Sequence, residues 1–322
     1  MKGVDLRGKS EQSFFAVDND IFVGQRPPFI GTIRSVMGES VVPVVVRTKN
    51  DPTVRCIGSG FFISCSGLLI TAAHVITDPI ERKYGTVLET GNRLESPDFQ
   101  FGVLVPTNPF FQQKGFIFFS IEWSLFLADR TASPIPIAGL DLKITSDIAI
   151  CKVPPRPGDH PHQPLTIIQS GFQGTGIGVG SDAYALGYAG MQDFSTETSG
   201  NTTIFHSAKF ELHGSIGKII ERFPLNFEKQ EVPTPGPCFS FAAKISGGMS
   251  GGPIFDREGV YVHGVISKGW EFAEDGAEHL SYGSMLGPSL GLPISLLNSA
   301  SLAELQKGKE HGFPVIGGAP GL

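Results

Sequence analysis

The sequence has no apolar run long enough to cross a membrane and no concentration of positive charge. Its longest apolar stretch, residues 116–128, is interrupted by Glu122 and falls well short of the roughly 20 residues that a spanning helix needs. Charged residues make up 17% of the 322-residue chain, the net charge is -6, and no Lys/Arg cluster is present. Phosphate binding needs a concentrated basic surface, so these features argue against both a membrane anchor and a nucleic-acid partner.

Cysteine is scarce, and its spacing predicts no metal site. Of the four cysteines only Cys56 and Cys65 are close in sequence, and they lack the CxxC spacing of a zinc site. Two disulfides are possible on number alone, but free buried thiols are more common in a cytosolic chain of this size. The first ten residues are polar and lack the apolar core of a secretory signal. We therefore expect a cytoplasmic protein with free thiols and without metal or other cofactor.

Glycine and proline are abundant, with 41 and 24 residues, and they separate short runs rich in Val, Ile and Phe. Such runs, broken every ten residues or so, favour many short strands and turns over long helices. The hydrophobic content of 40% is enough for a sizeable core. The composition thus predicts an all-β globular protein.

One serine has an unusual setting. Ser250 lies between the pairs Gly247-Gly248 and Gly251-Gly252, with apolar sequence on both sides. Glycines permit positive φ and close approach of another chain, so the hydroxyl can stand on a tight turn beside converging N–H groups, as an acyl-transfer nucleophile requires. Taken alone, the same composition is more typical of an ordinary Gly/Ser loop.

A histidine follows a predicted pair of strands. Residues 41–47 and 56–64 have strand patterns, a tight turn at 64–67 leads into residues 68–71, and Ala72-Ala73 precede His74. By itself His74 would be an ordinary histidine at a strand end. The run 58–63 followed by 69–75 closely resembles, however, the strand, turn, strand and TAAH signature of trypsin-like serine peptidases, including the HtrA/Deg type.

A third motif places an aspartate at the start of a continuous apolar strand. Asp147 precedes Ile148-Ala149-Ile150, and a carboxylate so close to a core requires a hydrogen-bond or charge partner. His74 is the donor we predict, although an aspartate that bonds its own backbone is common at such positions. Asp141 is the rival for this role, but the family pattern matches Asp147.

The resemblance implies a chymotrypsin-like double six-stranded antiparallel β-barrel with a short C-terminal helix. The predicted boundaries are an N-terminal extension over 1–40, a first barrel over 41–155, a proline-rich linker over 156–164, a second barrel over 165–298, and a C-terminal helix and tail over 299–322. His160 and His162 lie among the linker prolines and are predicted to be solvent-exposed rather than metal ligands. Residues 178–189 resemble a second-barrel strand of HtrA-like peptidases. About two dozen residues follow 298, too few for the PDZ domain that such proteins carry.

By this resemblance the site is a serine peptidase triad acting on protein or peptide substrates. Ser250 is the expected nucleophile, His74 the general base and Asp147 the residue that orients the imidazole. The backbone N–H groups of Gly248 and Ser250 are expected to form the oxyanion hole.

The resemblance also implies substrate-binding positions. Ser267 stands where a serine hydroxyl supports the buried aspartate, and the backbone of Ser267, Lys268 and Gly269 is expected to pair with an extended substrate. Lys244 falls at the wall or base of the primary specificity pocket and hints at an acidic or polar substrate side chain. A lysine pointing to solvent is the equally good alternative. The oligomeric state stays open.

Met249 departs from the family pattern. Secreted trypsin-type enzymes carry an aspartate there, which pairs with a newly cut N-terminal amine. Methionine cannot form this ion pair, so activation by cleavage is not expected.

Two other functions stay open at this stage. One is a catalytically silent or partner-activated trypsin-like module that binds a protein in its cleft. The other is an α/β-hydrolase-type esterase, because Gly248 to Gly252 also fits the GxSxG elbow. That fold requires a βαβ alternation and a histidine after the serine, for which His279 is the candidate.

Overall fold

The structure is a computed structural model of the whole chain. It describes residues 13–16, 39–48, 51, 53–84, 98–106, 116–126, 146–156, 161–168, 177–190, 194–199, 202–205, 211–224, 232–257, 259–269, 279–291, 293–307 and 312–313. His160 and the rival Asp141 lie outside these ranges.

The described residues form mainly β-strands. These are β1 (Ser13–Ala16), β2 (Val41–Thr48), β3 (Thr53–Phe62), β4 (Leu68–Thr71), β5 (Phe99–Pro106), β6 (Phe116–Ser120), β7 (Trp123–Phe126), β8 (Ala149–Lys152), β9 (Asp182–Ala189), β10 (Phe194–Ser199), β11 (Thr202–Phe205), β12 (Glu211–Phe223), β13 (Cys238–Phe241), β14 (Pro253–Phe255), β15 (Val262–Gly269) and β16 (Ser281–Met285). The α-helices are α1 (Ala73–Tyr84) and α2 (Leu302–Leu305), with 3-10 turns at Gly287–Ser289 and Ser295–Leu297.

The second sheet is a closed six-stranded barrel. Its strand order is β12-β13-β16-β15-β14-β9, and β9 pairs back onto β12. The ring closes because β12 is thirteen residues long, so residues 211–218 pair with β9 and residues 219–223 with β13. Strand β1 adds to the free edge of β12 at residues 213–216, so part of the N-terminal segment joins this sheet.

The first sheet has the order β6-β5-β2-β3-β4-β8-β7. Strands β6 and β7 are separated by two residues, and the chain changes partners between them. The Ile121 N–H donates to Phe101 on β5, and the Glu122 N–H donates to Lys152 on β8. This bent segment bridges the two ends of the sheet, while the β10-β11 hairpin adds to β3.

All ladders between the described strands are antiparallel. The all-β, two-barrel prediction is confirmed, and the α/β-hydrolase alternative is wrong because that fold needs a parallel sheet with crossover helices.

Several elements differ from the sequence expectation. Helix α1 was not predicted, because His74 had been placed at the end of a hairpin. The helix buries Val75, Ile76 and Ile80 on one face and exposes Arg82 and Lys83 on the other, which is a short amphipathic pattern.

The C-terminal helix is shorter than predicted, at four residues. It begins with a capping box in which Ser301 and Glu304 bond each other's backbone N–H groups. Leu302, Leu305 and Phe313 are buried in the same hydrophobic cluster as the strands of the first barrel. The described residues of the C-terminal segment, 301–307 and 312–313, therefore pack onto the core.

All four cysteines are free thiols, with Cys151 and Cys238 buried and Cys56 and Cys65 half-buried. Burial raises the pKa of Cys151 well above its usual range and that of Cys238 to about 12. Within the described ranges, no helix has the length and apolar character that a membrane span requires.

His162 is buried, which contradicts its prediction as an exposed linker residue. It is 1% exposed and its ring stacks on Phe62 at 4.2 Å and meets Phe119 edge-on at 5.2 Å. Nε2 bonds the Pro154 carbonyl at 3.0 Å, whereas Nδ1 is buried without a partner in the described chain. Burial lowers the pKa of His162, and the charges of Arg156 and Lys152 lower it further. The hydrogen bond with the Pro154 carbonyl raises this pKa but does not offset the other effects.

This histidine predicts acid sensitivity of the fold. The unfolded chain takes up a proton on His162 near pH 6.5 and the folded chain only at lower pH, so the stability is full above about pH 6.5 and falls as the pH drops through the folded-state pKa. We expect His162→Phe, which keeps the aromatic stack, to lose less thermal stability than wild type between pH 7.5 and 5. Equal losses in melting scans would contradict this.

Candidate active site

Several of the predicted site residues line one cleft between the two barrels, and Asp147 contacts His74 beside it. His74 lies in the first turn of α1, Asp147 precedes β8, Ser250 lies in the loop between β13 and β14, and Ser267 is on β15. The cleft has a volume of about 130 Å³. Its lining consists of His74, Ile245, Ser246, Gly247, Ser250, Ser267, Lys268 and Gly269.

His74 and Asp147 form a close pair. His74 Nδ1 donates to Asp147 Oδ2 at 2.7 Å, and the His74 backbone N–H donates to Oδ1 at 2.9 Å. Both carboxylate oxygens are therefore used, and the imidazole is fixed with its Nδ1 towards the acid. The Asp147 side chain is 8% exposed and that of His74 is 22% exposed, so the open part of the pair is the imidazole.

The pKa values of both groups follow from this contact. Burial acts first on His74 and lowers its pKa, but the Asp147 carboxylate outweighs burial and the net pKa is raised above the usual value. For the carboxyl group of Asp147 burial acts in the opposite direction and raises the pKa. The His74 charge and the hydrogen bonds from His74 and Ser267 outweigh burial and bring the pKa of Asp147 below its usual value. The carboxylate thus stays ionised and the imidazole is made more basic.

Asp147 is supported from the second barrel by two hydroxyls in series. Ser267 Oγ donates a hydrogen bond to Asp147 Oδ2, and Thr234 Oγ1 donates to Ser267 Oγ at 3.0 Å. Ser267 is fully buried and Thr234 is 3% exposed. Ser267 therefore contacts Asp147, the residue that the resemblance assigned to it, whereas Thr234 carried no signal in the sequence.

The Ser250 hydroxyl does not bond the imidazole in this structure. It donates to the Ser267 carbonyl oxygen at 3.1 Å, and no hydrogen bond joins it to His74 among the described residues. Because His74 and Ser250 line the same cleft, rotation about the Ser250 Cα–Cβ bond is the movement that would bring Oγ towards Nε2.

The loop around Ser250 presents two unused N–H groups. Within the described chain, the N–H groups of Gly248 and Ser250 donate to no protein acceptor, whereas those of Met249, Gly251 and Gly252 all do. Gly248 has φ +95°, a conformation that favours glycine. Two free donors on alternate residues of a tight turn are groups of the kind that can stabilise an oxyanion.

Met249 anchors this loop by burial. Its side chain is 0% exposed and packs in the second-barrel core with Ala185, Ile254 and Ile266. Strand β9 approaches it at Gly187, where an added Cβ would come within 2.8 Å of the Met249 Cα. Apolar packing therefore occupies the position at which, by the resemblance, secreted trypsin-type enzymes carry an aspartate for an ion pair.

The walls of the cleft differ from the sequence expectation at Lys244. This residue is exposed and is not part of the cleft lining, so the structure does not bring it to the specificity pocket. Ile245 lines the cleft instead and is 6% exposed. A Cβ on Gly269 would come within 2.8 Å of the Ile245 carbonyl oxygen and 3.0 Å of its Cβ, so the two walls are nearly in contact. Lys268 is exposed beside the cleft.

A larger cavity of about 340 Å³ lies outside the first barrel against the second half of α1, and it includes none of the predicted site residues. Among the residues that the structure describes, no three His, Cys, Asp or Glu side chains gather as a metal site requires.

Comparison with known proteins shows the family of the chain. A family model described as "Trypsin-like peptidase domain" matches residues 58–265, which is more than half of the chain. No curated protein matches. Solved structures that match include Deg5, with 16% identity, TM-score 0.40, and coverage of 80% of this chain and 88% of that one. Another is the inactive form of Rv3671c protease, with 18% identity, TM-score 0.41, and coverage of 83% and 94%. The chain belongs to the trypsin-like peptidase domain family.

Proposed function

We propose that the protein is a serine endopeptidase that cleaves protein or peptide substrates through His74, Asp147 and Ser250. One observation carries the proposal: the Asp147–His74 pair faces the same cleft as Ser250, beside the two unused N–H groups of its loop. A base, an acid that orients it, a nucleophile and oxyanion donors are the parts that acyl transfer requires.

In the acylation step Ser250 Oγ turns from the Ser267 carbonyl to His74 Nε2 and attacks the scissile carbonyl carbon. His74 takes the hydroxyl proton, and the ionised Asp147 stabilises the resulting imidazolium. The developing oxyanion accepts hydrogen bonds from the N–H groups of Gly248 and Ser250. The imidazolium then protonates the leaving amine as the C–N bond breaks, which leaves an ester on Ser250.

Deacylation runs the same sequence with water. His74 removes a proton from water, the hydroxide adds to the ester carbonyl, and the oxyanion again occupies the hole formed by the two N–H groups. Collapse of this intermediate breaks the C–O bond, and the imidazolium returns its proton to Ser250 Oγ. No metal or other cofactor enters this scheme.

An extended peptide fits the open edge of β15. Residues 262–265 pair with β14, but the described ladders leave Ser267 to Gly269 without a partner on the cleft side. A substrate strand could therefore form backbone hydrogen bonds there, which favours peptide over small-ester substrates.

A second candidate function has one observation in its favour. Because the Ser250 hydroxyl rests on the Ser267 carbonyl instead of on His74, the protein could be silent until a partner or substrate turns it. Such a protein would bind chains in the same cleft without cleaving them.

Labelling by a fluorophosphonate probe separates these functions. We expect the probe to label wild-type protein and not Ser250→Ala. In a peptide-hydrolysis assay, His74→Ala should lower kcat by about six orders of magnitude. His279→Ala is the matched control and should behave like wild type. Wild-type protein that resists the probe would support the silent module, and a requirement for His279 rather than His74 would overturn the assignment.

The pH dependence of hydrolysis tests the roles of His74 and Asp147. Only neutral His74 acts as a base, so kcat/KM should rise with pH and level off above the raised pKa of His74, giving a midpoint above about pH 6.5. Asp147→Asn should lower kcat by about four orders of magnitude, because the imidazole loses its charge partner and its tautomer. A pH-independent rate between pH 5 and 8 would contradict the role of His74.

The narrow cleft predicts a small, uncharged side chain immediately before the cleaved bond. On matched peptides, kcat/KM should be at least about 10-fold higher for alanine than for phenylalanine or glutamate at this position. Ile245→Ala should reduce the discrimination against phenylalanine. Lys244→Ala is the matched comparison and should leave the profile unchanged, and a preference for glutamate that this variant abolishes would restore the original expectation for Lys244.

A further inference from the structure

Ser59 connects the first barrel directly to the loop that carries Ser250. It lies on β3 between Gly58 and Gly60 and is fully buried. Its backbone N–H donates to the Ser250 carbonyl at 2.7 Å, and its hydroxyl donates to the Gly248 carbonyl at 2.8 Å. Ser59 thus holds two carbonyl groups of the loop from the opposite barrel.

The hydroxyl of Ser59 has a fixed direction. Its oxygen accepts the backbone N–H of Tyr188 on β9 at 2.8 Å, and its single proton is then committed to the Gly248 carbonyl. Glycine at position 58 permits this approach, because a Cβ there would come within 2.8 Å of the Ser250 carbonyl oxygen. The contact is therefore a buried, saturated hydrogen-bond junction among β3, β9 and the loop.

The carbonyl that Ser59 holds belongs to the peptide unit between the two oxyanion donors. This Gly248–Met249 unit is bonded at both ends, because its N–H donates to the Ser246 carbonyl at 3.1 Å. The Gly248 N–H lies on the preceding peptide unit and the Ser250 N–H on the following one. If the middle unit rotated, the directions of both donors would change together.

We propose that Ser59 is a positioning residue that keeps the oxyanion loop in its active shape, in the place of the N-terminal ion pair that Met249 cannot form. This proposal rests on the serine peptidase function proposed above. Met249 fixes the depth of the loop by burial, and apolar packing has no preferred direction for a carbonyl. The Ser59 hydroxyl supplies that direction, so the loop needs no cleavage to become ordered.

The test is the kinetics of active-site labelling in Ser59→Ala. The rate of reaction with a fluorophosphonate depends on the oxyanion donors, whereas the fraction finally labelled counts correctly folded sites. We expect the labelling rate and kcat to fall about 10- to 100-fold, somewhat less than the loss of a whole donor. KM, the midpoint of the pH profile and the fraction labelled should stay near wild-type values.

Ser64→Ala is the matched control. Ser64 is also fully buried near β3, and its hydroxyl accepts the Leu68 N–H at 3.0 Å and bonds Ser66 Oγ. Among the described residues, no hydrogen bond joins this hydroxyl to the Ser250 loop. It should label at the wild-type rate. Should Ser59→Ala not fold, Ser59→Cys keeps a weak donor and acceptor and should label at an intermediate rate.

The outcomes distinguish a failure of the positioning role of Ser59 from a failure of the proposed peptidase function. A wild-type rate in the folded Ser59 variant, with either a full or a reduced labelled fraction, would overturn the positioning role and leave the peptidase assignment intact. A wild-type protein that neither labels nor cleaves peptides would overturn the proposed function itself. Slow labelling of Ser64→Ala would show that any buried serine lost from this region disturbs the site, which also overturns the proposal.

Discussion

The buried carboxylate of Asp147 is the constraint on which the arrangement of the two barrels depends. It lies at the start of β8 in the first barrel, almost out of contact with water, and an unpaired charge there would be costly. His74 supplies two donors from its own barrel, and Ser267 supplies a third from the other barrel. A shift of one barrel against the other would leave the charge partly unsatisfied, so the same contact fixes the relative position of the barrels and the basicity of the imidazole.

The loop that carries Ser250 is ordered by a different balance of forces. In place of an ion pair, the described structure has a buried methionine side chain and the hydroxyl of Ser59. Hydrophobic burial is strong but has no direction, whereas a hydrogen bond is weaker but directional. Met249 and Ser59 therefore contribute separable properties, namely the depth of the loop and the orientation of its peptide units.

The sequence predicted those parts of the site that depend on residue type at a fixed local spacing. The pattern around His74, the aspartate before an apolar strand and the glycine-flanked Ser250 each indicate their chemistry locally. The structure brings His74 and Ser250 to one cleft and Asp147 into contact with His74. The long-range partners could not be predicted in this way. Thr234 and Ser59 are ordinary hydroxyl residues whose roles arise only when strands distant in sequence become neighbours.

The errors have similar causes. His162 was predicted to be exposed because prolines surround it, but tertiary packing placed its ring between Phe62 and Phe119. For Lys244 the sequence left open a place in the pocket wall or a place facing solvent, and in the structure the side chain is exposed outside the cleft. Ile245 lines the cleft instead, so an apolar side chain lies where a charged side chain was predicted.

Ser267 shows how a local irregularity of the sheet joins these parts. The ladder between β15 and β16 pairs Ile266 with Gly283 and Lys268 with Tyr282, so Ser267 is the extra residue of a β-bulge. Released from regular pairing, its hydroxyl supports Asp147 while its carbonyl holds the Ser250 hydroxyl. A substrate strand on this edge would compete for the same carbonyl. Binding of substrate and release of the nucleophile towards His74 would therefore be one event, because a single backbone oxygen serves both.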